Sequence, residues 1–286
     1  MDCAAITSQF AFPVSRSGNG ERETGNGEPL ILCHLPRYPA GMTKILGITA
    51  HPDDEVGAFG GTLLLYGSLG IETYVICLTR GEAASNRGEA KSNEELASIR
   101  SSEFRESCKV LRVAKASILN YPDGGLNRQD FFSVVGDLTR RARQIKPDII
   151  LTMGPEGAIT GHPDHSMASI FATMAFHWSA RKDRYPEQMN EGLEPHRARK
   201  LYYSTAPFVL PDRPPVSPPP CTATIDILQF LEEKIRASRE HATQAPLMAR
   251  FAQAMRKHGG RELFHLAAAN QPSQLQPETD LLAGLE

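Results

Sequence analysis

Apolar and polar positions form two alternating kinds of segment along the middle of the chain. Short runs rich in β-branched residues predict strands, at 45–49, 73–78, 117–120 and 148–152. Longer stretches repeat apolar residues at helical spacing and predict helices, at 60–69, 94–111, 131–145 and from the loop at 161–165 to about residue 176. This alternation is typical of an α/β fold with a mostly parallel sheet.

The segments outside this alternation differ in composition. Residues 1–42 include a polar, glycine-rich stretch with little apolar surface to bury, so we predict a flexible N-terminal extension. Residues 43–206 form the predicted core, and the proline-rich connector at 207–221 is expected to run extended. Residues 222–286 are predicted to be a helical segment that completes the same domain, with a helix over 225–241 and a polar tail.

Two clusters of histidine and aspartate follow predicted strands directly. The first, at 50–55, reads Ala-His-Pro-Asp-Asp-Glu, and the second, at 161–165, reads Gly-His-Pro-Asp-His. In open α/β sheets ligands bind at the carboxyl ends of the strands, so both clusters are expected to share one site. Imidazole and carboxylate groups are ligands that suit a zinc-like cation.

The spacing within the clusters predicts a role for each side chain. We expect His51, Asp54 and His165 to bind the metal, since three protein ligands and a water are usual at a catalytic zinc site. Asp53 is the predicted general base, and protonated His162 is predicted to stabilise the oxyanion or to assist the leaving amine. Asp164 is predicted to orient a histidine by a hydrogen bond.

Each cluster taken alone has a structural explanation. The second could cap a helix, with its polar side chains accepting from backbone N–H groups. The acidic run of the first could be a solvated turn. Together, two such clusters after two strands favour a shared metal site.

Six segments carry a resemblance to a known family, at 50–55, 78–83, 99–103, 121–126, 154–157 and 161–165, with a weaker echo near residues 234–244. Over about residues 43–245 the chain resembles the LmbE-like / PIG-L family of zinc-dependent de-N-acetylases, which act on N-acetylglucosaminyl compounds. The resemblance implies a Rossmann-like, three-layer α/β fold and the metal-binding roles given above. It also implies that Arg100 and Asp123 contact the sugar.

The predicted function is metal-dependent removal of an acetyl group from a small molecule that contains N-acetylglucosamine. Zinc is the expected metal, and the ligands leave Fe²⁺ or another divalent ion open. One alternative is an amidase of a sugar–thiol conjugate that uses the same site. Another is a non-enzymatic sugar- or nucleotide-binding module, although no GxGxxG pattern supports the nucleotide version.

Composition narrows the classes of partner. The net charge of −2 argues against a nucleic-acid-binding surface, and no apolar run is long enough to span a bilayer. Five cysteines without a CxxC pair predict free thiols in a reducing compartment, for which the cytoplasm is the default. The oligomeric state is left open.

Overall fold

A seven-stranded sheet forms the centre of the computed structural model, which describes residues 43–206, 215–257, 260–271 and 276–285. The strands are β1 (Lys44–Thr49), β2 (Glu72–Thr79), β3 (Lys115–Tyr121), β4 (Ile149–Met153), β5 (Lys200–Thr205), β6 (Ala223–Asp226) and β7 (Arg261–Ala269). Their spatial order is β3-β2-β1-β4-β5-β7-β6. Strands β1 to β5 pair in parallel, whereas β7 runs antiparallel to both β5 and β6. The predicted α/β fold with a mostly parallel sheet is confirmed.

Helices complete the layers around this sheet. They are α1 (Asp54–Ser68), α2 (Asn93–Val110), α3 (Phe131–Ile145), α4 (Pro163–Ser179), α5 (Pro186–Asn190), α6 (Leu231–Arg239) and α7 (Ala245–Lys257). Helices α3 and α4 pack together over one apolar cluster with β1, β2 and β4, whereas α1 and α2 pack with α6. None of the described helices combines the length and the apolar character needed to cross a membrane.

The central strands read as continuous apolar runs because both of their faces are covered. Five of the six residues of β1 and all five of β4 are buried. Parallel strands that lie between helical layers have this pattern, which explains why the sequence locates them well.

The C-terminal part departs from the prediction. The expected helix over 225–241 is wrong at its start, since Ala223–Asp226 is strand β6 and the regular helix α6 begins at Leu231. Strands β6 and β7 extend the sheet that the core begins, so residues 222–286 are not purely helical. Strand β6 pairs with residues about forty positions later, and local periodicity carries no signal for such distant pairing. The predicted extension 1–42 and residues 207–214 of the connector lie outside the described residues.

Helix α1 also begins earlier than predicted, at Asp54, and it is interrupted at Phe59, where φ is −154° and ψ is 21°. The interruption frees backbone donors of the following turn. Glu262 of β7 accepts from the N–H groups of Gly61 and Thr62 at 2.8 and 2.7 Å, and Lys234 of α6 pairs with the same carboxylate. The C-terminal elements therefore stabilise the helix that begins at the first histidine–aspartate cluster.

Replacing Glu262 with alanine is expected to lower the free energy of unfolding by about 3–5 kcal/mol, because it leaves the buried Lys234 ammonium unpaired. Urea unfolding monitored by circular dichroism measures this loss. Glu232→Ala is the matched control, since it removes an exposed partner of Arg256, and it is expected to unfold as the wild type does. Equal stability of the two variants would contradict this account of α1.

Candidate active site

The two predicted clusters meet where the strand order reverses. Strands β1 and β4 are neighbours in the sheet, and the chain leaves them towards opposite sides of the strand order. His51 follows β1, and the second cluster opens α4 shortly after β4. Ligands of doubly wound sheets bind at such a crevice, so the topology brings distant loops to one site.

His51, Asp54 and His165 converge on a single point. His51 Nδ1 lies 3.2 Å from His165 Nε2 and 3.5 Å from an Asp54 carboxylate oxygen, and His165 Nε2 lies 3.2 Å from the other Asp54 oxygen. Metal–ligand bonds of ~2.0–2.1 Å in tetrahedral geometry place neighbouring ligand atoms about 3.3–3.4 Å apart. The three side chains therefore fit a tetrahedrally bound divalent cation.

Hydrogen bonds to the outer ring nitrogens decide which nitrogens face this point. His51 Nε2 lies 3.0 Å from Asp123 Oδ1 and 3.3 Å from Asp164 Oδ2, so it donates to carboxylates. His165 Nδ1 lies 3.2 Å from the Gly157 carbonyl oxygen, to which it donates. Each neutral ring then directs an unprotonated nitrogen towards Asp54, as a metal ligand requires.

The charges around the point where His51, Asp54 and His165 converge favour the binding of a cation. Burial lowers the pKa of His51, but hydrogen bonds to Asp123, Asp164 and Asp54 outweigh it and raise that pKa well above its ordinary value. Burial also opposes ionisation of Asp54, yet His165 and His51 hold its pKa well below its usual range. The site thus keeps carboxylates ionised around a position that stabilises positive charge.

Asp53 lies beside this group in a conformation uncommon for a side chain-bearing residue, with φ 113° and ψ −23°. Such a backbone costs of order 1–3 kcal/mol and recurs at functional sites. Its Oδ2 accepts from Arg100 at 3.1 Å. Burial raises the pKa of Asp53 to about 6, against the opposing charge of Arg100.

His162 caps α4 and faces the other two imidazoles. Its Nδ1 accepts from the backbone N–H of Asp164 at 3.2 Å, so the neutral ring carries its proton on Nε2. The ring centroid lies 4.8 Å from that of His51 and 5.1 Å from that of His165. Burial and the neighbouring imidazoles lower the pKa of His162. The cap bond thus leaves an N–H available as a donor.

The part of the chain that contains both clusters matches a known protein family. Residues 46–176, from β1 through most of α4, match the family model PIG-L, described as GlcNAc-PI de-N-acetylase. Over 212 residues the chain is 30% identical to the diacetylchitobiose deacetylase of Thermococcus kodakarensis, covering 72% of this chain and 71% of that protein. The chain belongs to the PIG-L family. The resemblance predicted from the sequence is therefore confirmed.

This PIG-L family member is also similar to a conjugate amidase and to a deacetylase of known structure. It is 28% identical over 180 residues to the mycothiol S-conjugate amidase of Streptomyces coelicolor, covering 56% of this chain and 60% of that protein. The solved N,N'-diacetylchitobiose deacetylase of Pyrococcus horikoshii superposes with a TM-score of 0.64 at 27% identity, covering 78% of this chain and 83% of that one. The second similarity confirms the fold.

Two other predicted residues of this PIG-L chain, Asp123 and Asp164, contact His51 and are held by backbone N–H groups. Asp164 accepts from the N–H groups of Gly124 and Leu126 at 2.7 and 3.1 Å, which fixes the carboxylate near His51. Asp123 accepts from the N–H of Ala83 at 2.9 Å. Both carboxylates therefore connect the loop after β3 to the first histidine of the site.

Arg100 is only 3% exposed, although it was predicted to contact the sugar. Its guanidinium donates to the carbonyl oxygens of Gly81 and Pro52 and to Asp53. Gly81 has φ 71°, and a Cβ there would lie 2.2 Å from the guanidinium. The arginine thus packs under the Asp53 loop, an arrangement that the helical periodicity of α2 does not reveal.

His51→Ala and His165→Ala are each expected to lose stoichiometric metal, because each removes one of three converging donors. Metal analysis after chelation, reloading and desalting measures this. His177→Ala, an exposed position on α4, is the control and is expected to keep the wild-type content. Full metal content in both site variants would contradict the ligand assignment.

Proposed function

We propose that this chain is a metal-dependent amide hydrolase that removes an acetyl group from a small molecule containing N-acetylglucosamine. The observation that carries the proposal is the convergence of His51, Asp54 and His165 within 3.5 Å beside the mostly buried carboxylate of Asp53. Zinc is the proposed metal because two imidazoles and one carboxylate form a ligand set that suits it. Fe²⁺ binding to the same ligands is a variant of the proposal, which reloading experiments distinguish.

A divalent cation held by these three side chains supplies Lewis acidity and lowers the pKa of a water molecule. Asp53 is the proposed general base. Its Oδ2 is engaged by Arg100, which leaves Oδ1 to accept the proton of the attacking water. A pKa of about 6 keeps this carboxylate mostly ionised near neutral pH, yet basic enough for proton transfer.

His162 is the proposed donor to the substrate. Its Nε2–H donates to the amide oxygen as negative charge develops there, while its Nδ1 stays bound to the N-terminus of α4. The proton taken by Asp53 then goes to the amine nitrogen as the carbon–nitrogen bond breaks. Water and the amide thereby give acetate and the free amino sugar.

Sugar contact by Arg100 and Asp123 stays a prediction. Their contacts in the structure support a different main role, in which Arg100 holds Asp53 and Asp123 orients His51. We propose that Asp123, with Asp164, fixes the His51 ring by hydrogen bonds. A carboxylate behind a metal-binding histidine sets its tautomer and raises its basicity.

Similarity to two deacetylases and to one conjugate amidase supports the reaction type more closely than the substrate. An amidase of a sugar–thiol conjugate is the second candidate, because the same groups would hydrolyse its amide. A cytoplasmic location stays a prediction, in keeping with Cys77 and Cys108, which are free thiols.

The first test measures acetate release from a panel of N-acetylglucosaminides, with metal-stripped protein reloaded with zinc or Fe²⁺. We expect release that depends on added metal, and the best substrate identifies the group attached to the sugar. Release from thiol conjugates of a different acyl group, without release of acetate, would favour the second candidate.

Asp53→Asn is expected to keep metal content and to lower kcat by about 10²–10⁴-fold, because the amide cannot accept the water proton. The comparison uses saturating metal and steady-state kinetics. Asp137→Asn, at a partly exposed position on α3, is the matched control and should retain wild-type kcat. Near-normal turnover of Asp53→Asn would show that another group is the base.

A further inference from the structure

Asp53 depends on its surroundings for its backbone conformation. A non-glycine residue with φ 113° persists only where neighbouring groups hold it. The peptide N–H of Asp53 donates to Glu55 Oε2 at 2.9 Å, and its carbonyl accepts from the N–H of Gly57. Glu55 is therefore the side chain that fixes the amide of Asp53, whereas Arg100 holds its carboxylate.

Glu55 is completely buried, and donors from three parts of the chain meet its carboxylate. Besides Asp53, Ser107 of α2 donates from Oγ at 2.7 Å and His241 donates from Nε2 at 2.8 Å, both to Oε1. A buried carboxylate is stable only when donors satisfy it, and their number fixes its rotamer. The orientation of Glu55 thus depends on a histidine 186 positions further along the chain.

His241 is also completely buried, in the short segment between α6 and α7. The next residues anchor this segment to α2 and to the loop after β2. Thr243 donates from its N–H and Oγ1 to Glu103 of α2 at 2.8 and 2.6 Å, and Gln244 donates to the Asn86 carbonyl oxygen at 2.9 Å. These hydrogen bonds fix the backbone next to His241, so that its imidazole can hold Glu55 in one orientation.

We propose that Glu55 and His241 are positioning residues for Asp53, in a relay that runs from His241 to Glu55 to the Asp53 peptide N–H. The relay keeps the Asp53 carboxylate aimed at the reacting water rather than relaxed towards an ordinary backbone conformation. The consequence for turnover rests on the proposed function of Asp53, whereas the hold on its backbone does not.

The test compares Glu55→Ala and His241→Ala with Glu55→Gln and His241→Gln, all in the metal-loaded full chain. A glutamine at 55 can still accept from the Asp53 N–H, and a glutamine at 241 can still donate to Glu55. We expect the alanine variants to lower kcat by about 10- to 100-fold with KM and metal content within about twofold, since small misplacements of a reacting group have effects of this size. The glutamine variants should recover most of kcat.

Hydrogen exchange gives a readout that does not depend on turnover. The fragment over residues 50–58 contains the Asp53 amide, and exchange there should be faster in both alanine variants than in the wild type. Glu278→Gln is the matched control, because Glu278 is another mostly buried carboxylate that accepts from a basic side chain, Lys200 of β5, and from Tyr202 of the same strand. It should keep wild-type kcat and wild-type exchange over 50–58.

Unchanged exchange in the alanine variants would overturn the relay, whether or not the protein is a deacetylase. Faster exchange with unchanged kcat would overturn the positioning role in turnover, as would equal losses of kcat in the alanine, glutamine and Glu278 variants. If Glu55→Ala does not fold, the two His241 variants decide by the same measurements. A wild type that releases no acetate or other acyl group would refute the proposed function, and exchange alone would then decide the hold on Asp53.

Discussion

The arrangement of the site depends on one constraint, that His51 Nδ1 and His165 Nε2 must both face the carboxylate of Asp54. His51 meets it because carboxylates accept from its outer nitrogen, and His165 meets it because a backbone carbonyl accepts from the outer nitrogen of its ring. Without these outer acceptors either ring could rotate or take the other tautomer, and the donors would no longer converge. The loops after β1, β3 and β4 are therefore linked to one another before any substrate arrives.

Burial strengthens these hydrogen bonds and ion pairs, and it also makes any unsatisfied polar group costly. Carboxylates at the site are removed from water, so each one needs donors placed around it. The backbone supplies many of them: Asp164 takes two N–H groups from the loop after β3, and Glu55 takes that of Asp53. Charge is thus held in place by main-chain geometry as well as by side chains, which limits how far the site can rearrange.

The C-terminal elements reach the same helix at two points. Glu262 of β7 satisfies the turn of α1 that is interrupted at Phe59, and His241 meets Glu55 in the first turn. Helix α1 begins with the proposed metal ligand Asp54, so the C-terminal part supports the site although none of its residues is a proposed ligand. Strands β6 and β7 belong to the same sheet as the core because β7 pairs with β5.

By itself the sequence determined the parallel core, because strands buried on both faces read as apolar runs, and it located both clusters, because ligand side chains follow such strands. It also indicated the family through these motifs. Only the tertiary structure decided that β6 pairs with β7, that Arg100 lies beneath Asp53 and that His241 reaches Glu55. These contacts join residues far apart in the chain, and periodicity within a window of a dozen residues reports which face is buried but not what it is buried against.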